Sequence, residues 1–220
     1  MTPRLLLATE HSEFDAGAEA VAFALAARAG GRLQAVLPLV NNAEFEASAP
    51  ALAARADDVV AARRQHLVAA AAAAGVTLEV NVRRGAEAHA QILAQAREDA
   101  ADLLVIRRRG KRGFLARLLV GEMVGKVLAQ APCNVLVAPR GAGPWRRGVV
   151  VAVGDAQARG PLLDAARELA PGLPLREAAP TDVLTITARE GADLIVAARS
   201  QATTQRLLGE AGCAVLVVIV

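Results

Sequence analysis

At 220 residues the chain is long enough for one large domain or two small ones, and either could bury a core. Hydrophobic residues make up 54% and aromatic residues only 2%, with no tyrosine, which argues against a base-stacking platform for single-stranded nucleic acid and suits Ala/Leu helices on an aliphatic sheet. A formal net charge of +3 is too small to imply a polyanion partner without a local cluster, and the one clear cluster runs from Arg107 to Arg117.

Arg4–Thr9 is an apolar run without helical period, the pattern of a strand buried on both faces. Ser12 stands at an N-cap position with Asp15 three residues on, and Ala18, Val21, Ala22 and Leu25 share a helical face. A helix is therefore expected to open at Ser12 and to stop at Gly30-Gly31. Leu33–Leu39 completes a βαβ unit, which requires parallel strands and a right-handed crossover. Asn41–Pro50 reads as a loop, Leu52–Ala74 as a helix stopped by Gly75, Thr77–Arg83 as a third strand, and Ala86–Ala100 as a helix with Ile92, Leu93 and Ala96 inward.

Ala101–Pro139 organises the chain. It reads as a buried strand (Leu103–Ile106), a basic glycine loop (Arg107–Gly113), an amphipathic helix ending before Pro132, and a strand (Val135–Ala138). A strand, a glycine loop and a helix N-terminus in that order make a concave anion site, because free N–H groups and the helix dipole converge on one point.

Gly, Pro and charge over Arg140–Arg147 interrupt both periods, so residues 141–147 read as a linker between a complete unit, 1–140, and a second one, 148–220. The second unit is expected to comprise a strand Gly148–Val153, a helix Pro161–Leu169, a strand Leu173–Ala178, a helix Asp182–Glu190, a strand Ala192–Val196 and a strand Cys213–Val220. Ala101–Val105 recurs as Ala192–Val196, Leu119–Glu122 as Leu207–Glu210, and Cys133–Val137 as Cys213–Val217; three matches in one order indicate duplication. The second copy lacks one helix–strand pair and the glycine loop, and so reads as a scaffold partner, not a second ligand site.

Cys133 and Cys213 sit at equivalent strand starts and read as small buried residues, which fits a reducing cytoplasm. The apolar runs are too short to span a bilayer, and the N-terminal LLLA, followed at once by Glu10, His11 and Glu13, is not a signal peptide. His11, His66 and His89 lie in separate elements with no Cys or carboxylate at ligand spacing, and Ser12 has no nucleophile-elbow context, so neither a metal site nor catalysis is expected.

Ala131-Pro132-Cys133-Asn134-Val135-Leu136-Val137, together with the N-terminal RLLLATEHSE, resembles the universal stress protein family. The family's corresponding segment runs Gly-x-x-Gly, nine residues, Gly-Ser/Thr, helix, and then Pro-Cys-x-Val-Leu-Val. The resemblance implies an α/β fold with an open parallel five-stranded sheet in the order 3-2-1-4-5 and helices on both faces, followed by the shortened second copy. It also implies that Val135–Ala138 and Val215–Ile219 lie together across a pseudo-two-fold axis. In such a sheet the ligand crevice lies between the ends of the first and fourth strands. The corresponding positions are Thr9, Glu10, Pro38, Arg107, Gly110, Gly113, Gly121 and Glu122.

Four departures from the family pattern bear on that crevice. Glu10 stands where the family carries the Asp that contacts the nucleoside. Pro38 has no N–H to offer adenine unless the alignment slips by a residue. Arg107 replaces the first glycine if Gly110 is the second, whereas a Gly110/Gly113 register leaves too short a spacing to Gly121. Glu122 replaces the Ser/Thr and is expected to pair with Arg107, Arg109 or Arg112, filling its own pocket. The resemblance thus implies a cytoplasmic, non-catalytic stress-response protein, an interaction scaffold for a protein partner with a degenerate nucleotide site. The alternative is a switch whose Arg-rich loop holds ATP or another phosphorylated small molecule. The two repeats would form a pseudo-dimer, with a homodimer as a further level; a membrane role is not expected, and no recognition motif accompanies the charge to favour nucleic acid.

Overall fold

A computed structural model describes residues 3–40, 50–108, 121–199 and 201–220. In chain order its elements are β1 (Leu5–Ala8), α1 (Ala16–Arg28), β2 (Arg32–Val40), α2 (Pro50–Ala73), β3 (Thr77–Gly85), α3 (Ala88–Glu98), β4 (Leu103–Arg107), α4 (Glu122–Gln130) and β5 (Asn134–Ala138). The second half follows with β6 (Val149–Ala152), α5 (Ala156–Leu169), β7 (Leu175–Ala178), α6 (Val183–Glu190), β8 (Leu194–Ala198), α7 (Gln201–Glu210) and β9 (Ala214–Val218). The described strands form one sheet in the order β3-β2-β1-β4-β5-β9-β8-β6-β7. The first five follow the expected 3-2-1-4-5 order, all parallel.

Strand parity builds two cores, one on each face of the sheet. Leu5, Leu7, Leu103, Val105 and Leu136 turn to the face covered by α1, α2 and α5. Leu6, Ala8, Leu104, Ile106, Val135 and Val137 turn to the face that α3, α4, α6 and α7 cover. Central strands buried on both faces need no polar alternation, which is why they read as continuous apolar runs. Each fully buried Leu, Ile or Val contributes about 1.5–3 kcal/mol. Both cores run without a break across the two halves, joining Leu136 to Leu216 on one face and Val137 to Val217 on the other.

β5 and β9 pair antiparallel, with Leu136 opposite Leu216, so the strand-to-strand pairing expected of the two repeats is present. Each repeat also reaches across that seam. Arg108, just past β4, donates from Nη1 to the carbonyls of Leu208 (3.0 Å) and Ala211 at the end of α7. Arg199, just past β8, donates from Nη1 to Leu128 O and Ala131 O, each at 3.4 Å, at the end of α4. Terminal helix carbonyls lack intrahelical partners, and here the opposite repeat supplies them. Asp102 and Asp193 are equivalent as well. Asp102 accepts from Arg4 N at 2.8 Å, and Asp193 from Arg146 N at 2.8 Å, each carboxylate tying down the chain that leads into a repeat's first strand.

Several sequence expectations are corrected. α1 opens at Ala16 and not at Ser12, because the Asp15 carboxylate folds back onto Ser12 and a buried arginine. α5 begins at Ala156 and not at Pro161, because Asp155 caps it by accepting from Gln157 N at 2.8 Å, which leaves Pro161 inside the helix. Leu207–Glu210 closes α7, whereas Gly121-Glu122 opens α4, so these tetrapeptides are not equivalent; Leu119 and Val120 lie outside the described residues. The true counterparts of Leu128 and Ala131 are Leu208 and Ala211, the two pairs that the crossing arginines bind.

Candidate functional site

β4 ends one residue later than its apolar run suggests. Arg107 pairs with Ala138 in the β4–β5 ladder, so its backbone is a strand and not a phosphate loop. Its side chain enters the crevice between β1 and β4, where only 5% of it is exposed. Nη1 donates to Asp15 Oδ2 at 2.8 Å and to Ser12 Oγ at 2.9 Å, and Nη2 lies 3.0 Å from Glu10 Oε2. Asp15, itself 1% exposed, also accepts from Ser12 N at 3.0 Å and Ser12 Oγ at 2.5 Å. A buried ion pair persists only when its remaining hydrogen-bonding capacity is met, and Ser12 meets it here.

Two further residues of the β1–α1 loop, Thr9 and His11, tie back to α1. Thr9 Oγ1 donates to Glu19 Oε1 at 2.7 Å and accepts from His11 N at 2.8 Å. His11 Nδ1 lies 3.1 Å from Glu19 Oε1, a contact reached with His11 at φ 49, in the left-handed region. The His11 and His66 rings stand 6.4 Å apart, so two histidines that lie in separate elements meet beside the loop. Thr9 and His11 thus serve α1, while Glu10 and Ser12 serve Arg107.

Pro38 is buried within β2. Val36 O accepts from Thr9 N at 3.1 Å, and Pro38, two residues on, turns to the same side with a carbonyl but no N–H. A one-residue slip to Leu39 offers no free N–H. Leu39 N–H turns the other way and donates to Gln91 Oε1 at 3.1 Å, while Gln91 Nε2 donates to Leu39 O at 3.2 Å and Gly85 O at 2.9 Å.

Gly121 is the N-cap residue of α4. Glu122 does not pair with Arg107, one of its three expected partners; the other two, Arg109 and Arg112, lie outside the described residues. Its side chain is 83% exposed and lies 3.0 Å from Lys126 Nζ, one helical turn on. That ammonium holds the Glu122 carboxyl below the usual carboxylate range. A residue four places along its own helix is a nearer partner than one across the crevice. Gly110 and Gly113 also lie outside the described residues.

Among the described residues, Arg107 is thus paired in the crevice by Glu10 and Asp15 and not by Glu122. Among those residues one guanidinium faces two carboxylates. Neither Ser12, Asp15, Glu19 nor Gln91 figures in the sequence reading of the crevice; the Ser12–Asp15 spacing suggested a cap, and only the fold brings Arg107 to it. Burial lifts both the Cys133 and Cys213 thiols to about 11, although only Cys133 is buried and Cys213 is half-buried. Among the described residues no group of three or more His, Cys, Asp or Glu side chains could hold a metal ion.

The sequence profile of the universal stress protein family matches residues 1–139. The chain belongs to that family. A universal stress protein from Archaeoglobus fulgidus aligns with a TM-score of 0.70 at 14% identity, over 100% of this chain and 97% of its own. A protein of unknown function from Pseudomonas aeruginosa aligns with a TM-score of 0.63 at 15% identity, over 99% of this chain and 92% of its own. A universal stress protein in complex with cAMP aligns with a TM-score of 0.50 at 23% identity, over 62% of this chain and 97% of its own. At these identities the likeness shows the fold, which in the Archaeoglobus protein extends over both halves of this chain. No curated protein sequence matches it. Within the described residues no helix is long and apolar enough to cross a membrane.

Proposed function

We propose that this universal stress protein is a non-catalytic regulatory or interaction scaffold whose first-repeat nucleotide crevice has been closed from within. The observation that carries this reading is Arg107, buried between Glu10 and Asp15 with a hydrogen bond to Ser12. A nucleotide would have to displace a guanidinium that already has three partners, and would then meet carboxylates without their counter-ion. Pro38 adds to the reading, since the strand edge above the crevice offers no N–H at that position. Output would then pass through a protein partner.

The alternative is a switch that holds ATP or another phosphorylated small molecule with the Arg-rich loop. Its support is the structural neighbour in complex with cAMP, together with the half-exposed Glu10 carboxylate, which can release Arg107. Calorimetric titration of nucleotide-stripped protein with MgATP and with cAMP separates the two. The scaffold reading expects no saturable heat from the parent and gain of ATP binding in an Arg107→Gly, Glu122→Ser variant that remains folded by circular dichroism. Saturable binding by the parent at micromolar affinity would replace it with the switch.

A further inference from the structure

The sheet ends in two edges of different character. β7, at one end, has four residues with Arg176 and Glu177 at its middle, the short, charged kind of edge that resists pairing. β3, at the other end, has nine residues, and among the described residues it pairs with β2 alone. Thr77 N donates to Gly31 O at 2.7 Å, so Thr77, Glu79, Asn81 and Arg83 turn their backbone groups to β2. Leu78, Val80 and Val82 turn theirs outward, an open template for another strand. The side chains around this edge are apolar as well. Val40, Val59, Val68 and Val82 are four of the six large apolar side chains that stay exposed among the described residues, and all four belong to β2, α2 and β3. α2 and β3 frame a groove beside the edge, with Val60, Val68 and Val82 in its lining. Exposed apolar side chains grouped beside unpaired backbone groups mark an interaction surface.

The sequence of β3 selects the occupant. When a second β3 is laid antiparallel with Asn81 opposite Asn81, all nine residues pair. Glu79 then faces Arg83 of the partner subunit and Val80 faces Val82 of the partner subunit, and the two-fold axis repeats each contact. Glu79, Asn81 and Arg83 share the α3 face of the strand, and Val80 and Val82 the α2 face, so every pair meets on one side of the joined sheet. The outward groups of Val80 and Val82 make these the hydrogen-bonded pairs, which leaves Asn81 at the axis in a closer, non-hydrogen-bonded pair. Moving the centre to Val80 or Val82 pairs fewer residues and sets Glu79 opposite Asn81 or Gly85, without a cation. Arg83, which already lies 2.6 Å from Glu98 on α3, keeps donors for a second carboxylate. An exposed ion pair adds little affinity, but it fixes the register. β5 is not open to a second copy, because β9 occupies it.

We propose that this protein forms a two-fold dimer by antiparallel pairing of β3 with β3 of a second copy, centred on Asn81, so that one sheet runs through both molecules. The dimer is independent of whether the first crevice takes nucleotide. Sedimentation equilibrium of the full-length protein from about 1 to 100 µM is expected to show a monomer–dimer equilibrium with a dissociation constant of about 10 µM or lower. Val82→Pro removes an outward N–H that the β2 ladder does not use. It is expected to weaken the dimer at least about tenfold and to leave the circular dichroism spectrum unchanged. Asn81→Cys places two thiols across the axis, where Cα atoms stand about 4.5 Å apart, and mild oxidation is expected to link them. Glu79→Cys, four residues along the strand from its counterpart's partner position, is expected to remain unlinked. This cross-link decides the matter if Val82→Pro fails to fold. A monomer throughout that range, a polymer larger than a dimer, a dimer indifferent to Val82→Pro, or Glu79→Cys linking as readily as Asn81→Cys would each overturn the proposal.

Discussion

Arg107 shows how one side chain decides the character of a crevice. Its charge is offset by Asp15, which is as deeply buried, and removing one partner of such a pair strands the other in a low-dielectric interior. Arg107→Ala is therefore expected to cost about 3–5 kcal/mol, read as a fall in the urea midpoint at constant slope. A loss below about 1 kcal/mol would mean that water already reaches Asp15. Asp102 contributes to the acid limb, as do Glu122 and Glu177, whose carboxyls are also held low. Hydrogen bonds from the Arg4 guanidinium and backbone N–H hold its carboxyl below the usual value, so the unfolded chain binds the proton more readily than the fold does. Its contribution is present above about pH 4 and is lost as the pH falls through the depressed folded value. Asp102→Asn is expected to flatten stability against pH in that acid window and to leave the slope near neutrality unchanged, as urea melts at a series of pH values would record.

At the scale of elements, glycines in two helices have opposite meanings. Gly17 sits in the first turn of α1, where the linker backbone crosses it, and a Cβ would stand 1.9 Å from Pro139 O. Gly125 sits in α4, where a Cβ would meet nothing within 4 Å. Gly17→Ala is expected to cost about 1–3 kcal/mol or more through forced displacement of the linker. Gly125→Ala is expected to stabilise by about 0.5–1 kcal/mol by narrowing the unfolded ensemble. Thermal melts of the two variants should move in opposite directions. α5 illustrates the limit of local signals: Pro161 marks a helix start by its own chemistry, yet capping by Asp155 extends the helix past it.

The whole molecule behaves as two repeats locked into one sheet. Its seam comprises the β5–β9 ladder, the continuous cores and the two crossing arginines. Each arginine caps a helix of the other repeat, so removing both should weaken the coupling between halves more than it weakens either half. Arg108→Ala and Arg199→Ala are each expected to cost about 1–2 kcal/mol. In the double variant the calorimetric and van't Hoff enthalpies should separate; if they stay equal, the sheet alone carries the cooperativity.

Much of the fold was legible because it is written in local periods. Continuous apolar runs marked the buried strands, and the recurrence of Ala-Asp before β4 and β8 and of Cys before β5 and β9 marked the duplication. The same residues carried the family resemblance. The crevice was legible only as a position. From the sequence, Arg107 was a loop cation and Ser12 a cap, since nothing local links residues ninety-odd positions apart. The register that sets Ile106 beside Ala8 brings Arg107 to Asp15. Composition and period determined the strands, the faces and the repeat. Only the tertiary structure decided how the crevice is filled, because side-chain charge acts over a few ångströms and those distances exist only after the strands have paired.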